Sequence, residues 1–349
     1  MKPLQKPARL KPGDTVAAVS LSWGGAGEPE LLWRYELGKQ RIRELLGLTV
    51  VEMPHTLAGS EFLYRHPEAR ASDLMQAFSD SRISGIFSCI GGDDSIRLLP
   101  FIDFDVIAAN PKVFLGYSDT TISHLMCARA GLSSFYGPSI LAEFAENVQM
   151  FPFSLEYLRR ALFDNAPTGC LPCSPEWTGE RIEWTQANSS IPKAMRPNAP
   201  YRVLSGKGRA RGRLWGGCME VLEMAKGTIL WPDTREFEDT ILFLETSEDM
   251  PQPTQLLCAL RNYGAMGILQ RIRGLVFAKP YQETFEAPYH GAIVNVLDEY
   301  GLSHLPVLCN ASFGHNQPMV TLPSQGFMKP KSPFTRVLLP APFSPTMQR

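Results

Sequence analysis

Excess charge of one sign and long apolar runs are both missing from this 349-residue sequence. Its 34 Lys and Arg residues nearly balance its 35 Asp and Glu residues, which gives a formal net charge of -1. A surface without a strong field is not expected to attract nucleic acid or anionic lipid, so neither nucleic acid nor membrane is an expected partner. No apolar run approaches the roughly 18 residues that a membrane-spanning helix requires. Residues 1–7 lack the apolar stretch of an export signal, and we expect a cytoplasmic protein.

The seven cysteines are scattered and odd in number, which is typical of reduced thiols rather than of a disulfide framework. Cys170 and Cys173 have the spacing of a redox motif or of half a zinc site. Neither a second pair nor a nearby histidine supports such a site, so loop cysteines without a role are the simpler interpretation. We therefore expect no metal ion and no cofactor.

Hydrophobic residues make up 44% and charged residues 20% of the chain, which is ordinary for a globular protein. Because one core rarely serves so long a chain, two domains are expected. A stretch rich in Pro, Ser and Asn interrupts the regular patterns between them. The predicted organisation is an N-terminal α/β domain at 1–165, an interdomain loop at 166–204, a C-terminal domain at 205–339 and a Pro-rich, disordered tail at 340–349.

Strand and helix patterns alternate along the chain. Strands are predicted at 15–20, 48–53, 85–90, 112–115, 240–245, 274–278 and 306–310, and helices at 29–46, 67–78, 119–130, 219–226, 253–263 and 287–300. Such alternation indicates an α/β fold with mostly parallel sheets that helices cover on both faces. In these folds ligands bind at the carboxyl ends of the strands, where the sequence places glycine-containing loops at 24–25, 91–92 and 116.

A serine follows the strand predicted at 112–115. The apolar run ends at Gly116, Ser118 comes two residues later, and polar residues suited to the start of a helix come next. A sharp turn from strand to helix exposes a hydroxyl and directs helix N–H groups at the same place, so Ser118 is a candidate nucleophile. The alternative is that Ser118 only caps the helix.

A serine nucleophile needs a base, and the base needs a group that orients it. His315 lies in a polar loop just after a predicted strand, where rigid scaffolds often carry catalytic groups. Glu245 closes an apolar strand, where a carboxylate is costly to bury without a partner such as an imidazole. His124 lies one turn further along the helix that follows Ser118 and should point away from the hydroxyl. Taken singly, Glu245 could be a salt-bridge partner and His315 an ordinary loop histidine.

Three segments taken together resemble the LD-carboxypeptidase family of serine peptidases. They are residues 116–119, 242–245 and 313–315, in that order, and residues 91–94, 212–217 and 321–323 add to a resemblance that covers about 10–326. The resemblance implies an N-terminal flavodoxin-like domain with a parallel sheet, joined to a smaller C-terminal swivelling β/α domain. It also implies a homodimer.

The same resemblance implies a Ser-Glu-His triad that works without a metal. The matching positions are Ser118 in the first domain and Glu245 and His315 in the second. The oxyanion hole of the family consists of backbone N–H groups, which here would be those of Asp119 and of the turn at Gly91 and Gly92.

Two branches of this family differ in substrate. One removes the terminal D-alanine from cell-wall tetrapeptides, and the other resembles the microcin C self-immunity enzyme, which cuts the amide between an aminoacyl group and a nucleotide-like moiety. A long interdomain loop with Trp177 and Trp184 favours the second branch, because indole rings can stack on a nucleobase. We therefore expect a serine carboxypeptidase or amidase that acts on aminoacyl-nucleotide or related peptide conjugates, with release of D-alanine as the alternative. Both tryptophans could instead anchor the loop to the protein.

Two positions depart from the family pattern. Cys218 follows a Gly-Gly pair where members often have Asn, which puts any polar contact from this position in doubt. The turn at Ser118 lacks the second glycine of the α/β-hydrolase motif, so that fold is not implied. A catalytically silent protein that binds a peptide or nucleotide conjugate in the interdomain cleft is a further alternative, and an amidase for an unrelated metabolite is another.

Overall fold

The computed structural model describes residues 4–164, 171–207 and 209–324. The tail predicted at 340–349 and Cys170 lie outside the described residues. The strands are β1 Thr15–Val19, β2 Thr49–Glu52, β3 Ile83–Ser88, β4 Val113–Gly116, β5 Ser134–Tyr136, β6 Glu176–Trp177, β7 Arg196–Pro197, β8 Arg202–Ser205, β9 Arg213–Cys218, β10 Thr240–Glu245, β11 Gly274–Ala278, β12 Val307–Ala311 and β13 Leu322–Ser324.

The α-helices are α1 Leu32–Leu46, α2 Ser60–Arg65, α3 Pro67–Ser79, α4 Phe104–Ala109, α5 Thr121–Ala130, α6 Pro152–Leu162, α7 Met219–Ala225, α8 Pro253–Ala265 and α9 Glu286–Glu299. Short 3-10 helices lie at Gly25–Gly27, Ser95–Phe101, Ser118–Thr120, Gln186–Asn188, Thr234–Phe237 and Tyr281–Glu283, and one π-helical turn lies at Ile140–Phe144. No helix of the described part of the chain combines the length and the apolar character needed to span a bilayer.

The first sheet has the strand order β13-β5-β4-β3-β1-β2. Its neighbours are parallel, except that β13 runs antiparallel to β5. β3 and β4 are buried almost throughout, as expected for strands that helices cover on both faces. The carboxyl ends of these two strands lead into the loops that carry Gly91 and Ser118.

The second sheet has the order β8-β12-β11-β10-β9, in which only the edge strand β8 is antiparallel. Every residue of β10, β11 and β12 is buried. The prediction of an α/β fold with mostly parallel sheets is confirmed. Glu245 is the last residue of β10, and His315 lies four residues after the end of β12.

The two sheets share one apolar core. Helix α5, beside the first sheet, packs on α7 and β9 of the second. Leu125 of α5 and Leu222 of α7 are buried members of the same hydrophobic cluster. The carboxyl ends of strands from both sheets therefore meet at a closely packed junction.

Most predicted elements are found within two residues of their predicted ends, and the differences have local causes. Strand β3 lies at Ile83–Ser88 rather than 85–90, because its pairing with β1 begins at Ile83 and the chain then leaves the sheet for a glycine turn. The helix predicted at 119–130 is a 3-10 helix at Ser118–Thr120 followed by α5.

Several strands were not predicted, because their patterns are short or contain glycine. They are β5, β6, β7, β8, β9 and β13. The predicted bounds of the two domains and of the loop between them stay predictions. The structure does add one fact to them, since β13 belongs to the range 205–339 but hydrogen bonds to β5 in the first sheet.

The predicted interdomain loop, where the structure describes it, is fastened to both parts of the protein. Thr178 and Gln317 exchange two backbone hydrogen bonds, of 2.7 and 2.9 Å. Lys193 donates through its Nζ to Glu146 Oε2 at 2.7 Å and to Gln317 Oε1 at 2.6 Å. The segment therefore links the π-helical region of the first part to the loop that follows His315.

Because the shared core joins the two sheets, we expect a cavity in α7 to destabilise the whole protein. Leu222→Ala removes a fully buried side chain and should cost about 2–5 kcal/mol of unfolding free energy. The matched control is Met224→Ala on the same helix, where the side chain is 37% exposed and the cost should stay below about 1 kcal/mol. Urea unfolding followed by circular dichroism measures both, and equal midpoints would contradict the packing described here.

Candidate active site

Ser118 lies on a strained turn between β4 and α5. Its φ of +62° is in the left-handed region, which a residue with a Cβ occupies at a cost of order 1–3 kcal/mol. The surrounding buried strand and helix hold this conformation, and the side chain stays half-buried rather than enclosed. The result is a serine hydroxyl presented at the carboxyl end of a parallel strand.

The structure brings the three predicted residues into one chain of hydrogen bonds. His315 Nε2 lies 3.0 Å from Ser118 Oγ, and His315 Nδ1 lies 2.6 Å from Glu245 Oε2. The backbone N–H of His315 donates to the same carboxylate oxygen at 3.3 Å. This geometry lets a neutral imidazole donate from Nδ1 to Glu245 and accept the proton of Ser118 at Nε2.

The Glu245 carboxylate is buried, and its second oxygen has its own partner. The Tyr136 hydroxyl donates to Glu245 Oε1, and the backbone N–H of Ser118 donates to the Tyr136 oxygen at 3.1 Å. Burial and the nearby Glu245 charge raise the pKa of Tyr136 well above its usual value, so the phenol keeps the proton that it donates. Tyr136 thus links the carboxylate end of the hydrogen-bond chain back to the turn at Ser118.

Sequence reasoning missed Tyr136. It closes the three-residue strand β5, which pairs with β4 so that Tyr136 lies opposite Gly116. Only a prediction of β5 and of its register could have placed this phenol beside Ser118.

Gly314 makes room for the carboxylate. Its φ is +85°, and a Cβ placed on it would lie 2.3 Å from Glu245 Oε2. Any side chain here would push Glu245 away from His315 or turn the backbone N–H of His315 aside. Glycine at this position is therefore a requirement of the hydrogen-bond chain.

The predicted oxyanion donors lie beside the serine. A Cβ added to Gly91 would lie 3.0 Å from Ser118 Oγ and 3.3 Å from the backbone nitrogen of Asp119. Among the described residues, none accepts a hydrogen bond from the backbone N–H of Gly92 or of Asp119. A side chain at Gly91 would therefore crowd Ser118, and the role of these amides as oxyanion donors stays a prediction.

Buried polar contacts hold together the two loops that carry these backbone amides. The Asp119 carboxylate accepts from the Ser95 N–H at 2.9 Å, and Ser95 Oγ donates to the Asp119 carbonyl at 2.9 Å. Arg70, which is fully buried, donates to both Asp94 oxygens at 2.6 and 3.1 Å. Burial alone would raise the pKa of Asp94, but the hydrogen bonds from Arg70 and Arg97 lower it below its usual value. The Asp119 carboxylate thus holds a backbone N–H of the neighbouring loop, and the Asp94 carboxylate pairs with two arginines.

His124 takes no part in the site, as predicted. Its ring is buried, with Nδ1 2.8 Å from Ser134 Oγ and Nε2 2.9 Å from the Gly116 carbonyl oxygen. Burial lowers the pKa of His124 to about 4, so the ring is neutral at neutral pH. It supports the end of β4 from behind.

The two predicted substrate tryptophans have protein partners. The Trp177 ring is buried and faces Lys279 Nζ at 4.4 Å and the Arg196 guanidinium at 5.6 Å. The Trp184 ring faces the Arg34 guanidinium at 4.3 Å and packs against the apolar cluster that contains Tyr35 and Phe144. These contacts agree with the alternative that both rings anchor the segment, and contact with substrate stays a prediction.

Cys218 contributes through its backbone. Its N–H donates to Thr121 Oγ1 at 3.2 Å, which ties the end of β9 to the start of α5. Its thiol is buried beside Glu220, and burial raises the pKa of Cys218 well above its usual value. Within residues 4–164, 171–207 and 209–324, no three His, Cys, Asp or Glu side chains are grouped so as to hold a metal ion.

A second carboxylate reaches the imidazole. Glu248 Oε2 lies 3.0 Å from His315 Nε2, the same nitrogen that faces Ser118. Burial alone would lower the pKa of His315, but the carboxylates of Glu245 and Glu248 outweigh burial and raise it well above its usual value. The hydrogen bond from His315 in turn lowers the pKa of Glu248 to about 2, so Glu248 is ionised.

Comparison with known proteins agrees with this geometry. Residues 16–137 match the family model of the LD-carboxypeptidase N-terminal domain, and residues 211–329 match that of the LD-carboxypeptidase C-terminal domain. The chain is 30% identical to the microcin C7 self-immunity protein MccF of Escherichia coli over 280 residues, which is 76% of this chain and 77% of that protein.

Solved structures show the same two-domain fold. An MccF-like protein from Streptococcus pneumoniae in complex with AMP superposes with a TM-score of 0.83 at 35% identity, over 89% of this chain and 94% of that one. MccF in complex with glutamyl sulfamoyl guanosine superposes with a TM-score of 0.77 at 27% identity, over 91% and 93% of the two chains.

We expect Gly314→Ala to remove most activity, because its Cβ would displace Glu245 from His315. A shift of about 1 Å in such a group can cost about a hundredfold in kcat. Gly301→Ala is the matched control, since Gly301 also has a positive φ (+68°) but no atom within 4 Å of the added Cβ. Rates of hydrolysis with circular dichroism spectra test this, and a Gly314→Ala enzyme as active as the control would contradict it.

The raised pKa of His315 predicts a pH profile. His315 must be neutral to accept a proton, and the two carboxylates stabilise its charged form, so kcat/KM should fall as pH drops through a pKa above 6.5. The profile of kcat/KM between pH 5 and pH 9 measures this. An acidic limb at or below pH 6.5 would show that the two carboxylates do not raise the pKa of His315.

Proposed function

Because the chain belongs to the LD-carboxypeptidase family and is a serine-type carboxypeptidase, we propose that it hydrolyses aminoacyl-nucleotide or related peptide conjugates. The bond cut would be the amide between the aminoacyl group and the nucleotide-like moiety. The observation that carries the proposal is the unbroken chain of hydrogen bonds from Ser118 through His315 to Glu245.

In the proposed mechanism, His315 Nε2 takes the hydroxyl proton as Ser118 Oγ attacks the scissile carbonyl carbon. Glu245 holds the ring through Nδ1 and stabilises its positive charge. The N–H groups of Asp119, Gly91 and Gly92 receive the negative oxygen, a contribution of roughly 3–4 kcal/mol per donor in comparable sites.

The imidazolium then returns its proton to the leaving nitrogen, and the carbon–nitrogen bond breaks. The acyl group remains on Ser118 as an ester. A water molecule, deprotonated by His315, attacks this ester and releases the acid and the free hydroxyl. The cycle needs no group beyond the three side chains and the backbone amides.

The choice of conjugate rests on the related structures and on the interdomain segment. MccF binds glutamyl sulfamoyl guanosine, and the pneumococcal relative binds AMP, so both hold a nucleoside group. This chain has an interdomain segment with two tryptophans, as expected for the branch that acts on nucleotide conjugates. Trp177 and Trp184 are proposed to help to shape the nucleotide site, either by stacking or by holding the segment in place.

Three other expectations from the sequence compete with this proposal. Release of terminal D-alanine from a tetrapeptide uses the same chemistry on another substrate, and so would an amidase for an unrelated metabolite. A protein that binds without catalysis has no need for a serine, an imidazole and a carboxylate within hydrogen-bond distance of one another. The homodimer and the cytoplasmic location stay predictions.

Ser118→Ala should lower kcat about 10,000-fold or more while the protein stays folded, because no other group can carry the acyl intermediate. Ser123→Ala on α5 is the matched control, since Ser123 is a buried serine of the adjoining helix and has no part in the proposed mechanism. Chromatographic assays of an aminoacyl sulfamoyl adenosine and of a murein tetrapeptide test both. Retained hydrolysis in Ser118→Ala, or cleavage of the tetrapeptide alone, would overturn the proposal.

A further inference from the structure

The mechanism leaves one carboxylate beside the reacting atoms without a role. Glu248 Oε2 lies 3.0 Å from His315 Nε2, and the same nitrogen lies 3.0 Å from Ser118 Oγ. The Glu248 side chain is 43% exposed, whereas those of His315 and Glu245 are nearly buried. Glu248 therefore lies where a substrate would enter and meet the serine.

The protein holds Glu248 in this position through its backbone. The preceding residue, Ser247, donates to Glu220 Oε1 from its N–H at 2.9 Å and from its Oγ at 2.7 Å. The N–H of Asp249 donates back to Ser247 Oγ at 3.3 Å. Glu220 lies on helix α7, and burial raises the pKa of its carboxyl group. Its hydrogen bonds to Ser247 anchor the loop. The carboxylate of Glu248 is thus presented by a fastened loop rather than by a free side chain.

The contact between Glu248 and His315 is incompatible with the proposed function of His315 as the base. A neutral His315 that accepts the proton of Ser118 at Nε2 has a lone pair there, and no proton remains to bond Glu248. Two electron-rich atoms then face each other at about 3 Å. A positive charge brought to Glu248 by the substrate would remove this conflict, because the carboxylate would pair with that charge instead of with the imidazolium.

Besides His315, one cation among the described residues acts on Glu248. The charged or titratable groups that act on Glu248 or His315 from the surrounding elements are Glu245 of β10, Arg181 of the interdomain segment, Tyr117 after β4 and Tyr281 after β11. Of these only Arg181 is a cation, and it is an exposed residue. In the free protein the imidazolium of His315 is the direct partner of Glu248.

We propose that Glu248 is a specificity-determining residue that binds a primary ammonium group of the acyl part of the substrate, close to the scissile carbonyl. The inference rests on the proposed function and deepens it. An α-ammonium nitrogen is about 2.5 Å from the carbonyl carbon of its own residue, so it stays within reach of Glu248 when Ser118 attacks. An ammonium on a basic side chain is the other source of the same chemistry.

Three conjugates of sulfamoyl adenosine separate these cases. The alanyl conjugate has only an α-ammonium, the N-acetylalanyl conjugate has no ammonium, and the N-acetyl-lysyl conjugate has only a side-chain ammonium. We expect the native enzyme to prefer the alanyl over the N-acetylalanyl conjugate by about tenfold or more in kcat/KM, the size of a charge-assisted hydrogen bond. A preference for the N-acetyl-lysyl conjugate over the N-acetylalanyl one would identify the side chain as the source.

Glu248→Gln should reduce this preference to within about twofold, because glutamine keeps the shape but not the charge. It should also move the acidic limb of the kcat/KM profile to lower pH, since one of the two carboxylates that stabilise the imidazolium is lost. Asp249→Asn is the matched control: it removes one negative charge from the next residue of the same loop, and it should keep the native preference and profile.

The outcomes separate failure of this inference from failure of the proposed function. Equal kcat/KM for all three conjugates in the native enzyme, or an unreduced preference in Glu248→Gln, would overturn the inference while hydrolysis itself upholds the proposed function. Calorimetry with Ser118→Ala provides a test without turnover, in which the alanyl conjugate should bind about tenfold more tightly than the N-acetylalanyl one. If the native enzyme cleaves no conjugate and Ser118→Ala binds none, the proposed function and this inference both fall.

Discussion

The site depends on the burial of one carboxylate, that of Glu245. A buried carboxylate is costly unless hydrogen bonds replace its water, and here both oxygens have protein donors. Tyr136 of the first sheet donates to one oxygen, while the ring and the backbone of His315 donate to the other. The hydrogen bonds to this one carboxylate therefore connect a strand of the first sheet, the end of a strand in the second sheet, and the loop after β12.

Parallel topology explains why these groups can meet. Ser118 follows β4, Gly91 follows β3, Glu245 ends β10 and His315 follows β12, so each lies at the carboxyl end of a parallel strand. The shared core between α5 and α7 holds the carboxyl edges of the two sheets against each other. Local strain at Ser118 and the missing side chain at Gly314 are then tolerated, because packing around them determines the conformation.

The same junction carries the features that are proposed to distinguish substrates. The interdomain segment is fastened to the first part through Lys193 and Trp184, and to the loop after His315 through Thr178. Glu248 contacts the imidazole from a loop held by Glu220. Two elements thus contact the hydrogen-bond chain or its loops without belonging to it, and these elements are the proposed source of substrate specificity.

The sequence by itself determined the α/β class, the ends of strands such as β10 and β11, and the three residues of the hydrogen-bond chain. The fold class and the strand ends follow from apolar runs and helix periodicity. The three residues follow from polar positions after strands taken together with the resemblance to the LD-carboxypeptidase family. The sequence did not reveal β5, and with it Tyr136, because three residues carry too little pattern to identify a strand. Nor did it reveal that Glu248 reaches His315 Nε2 or that β13 returns to the first sheet. Those facts depend on contacts between residues far apart in the chain, whose energy arises only when the sheets, helices and loops have packed together.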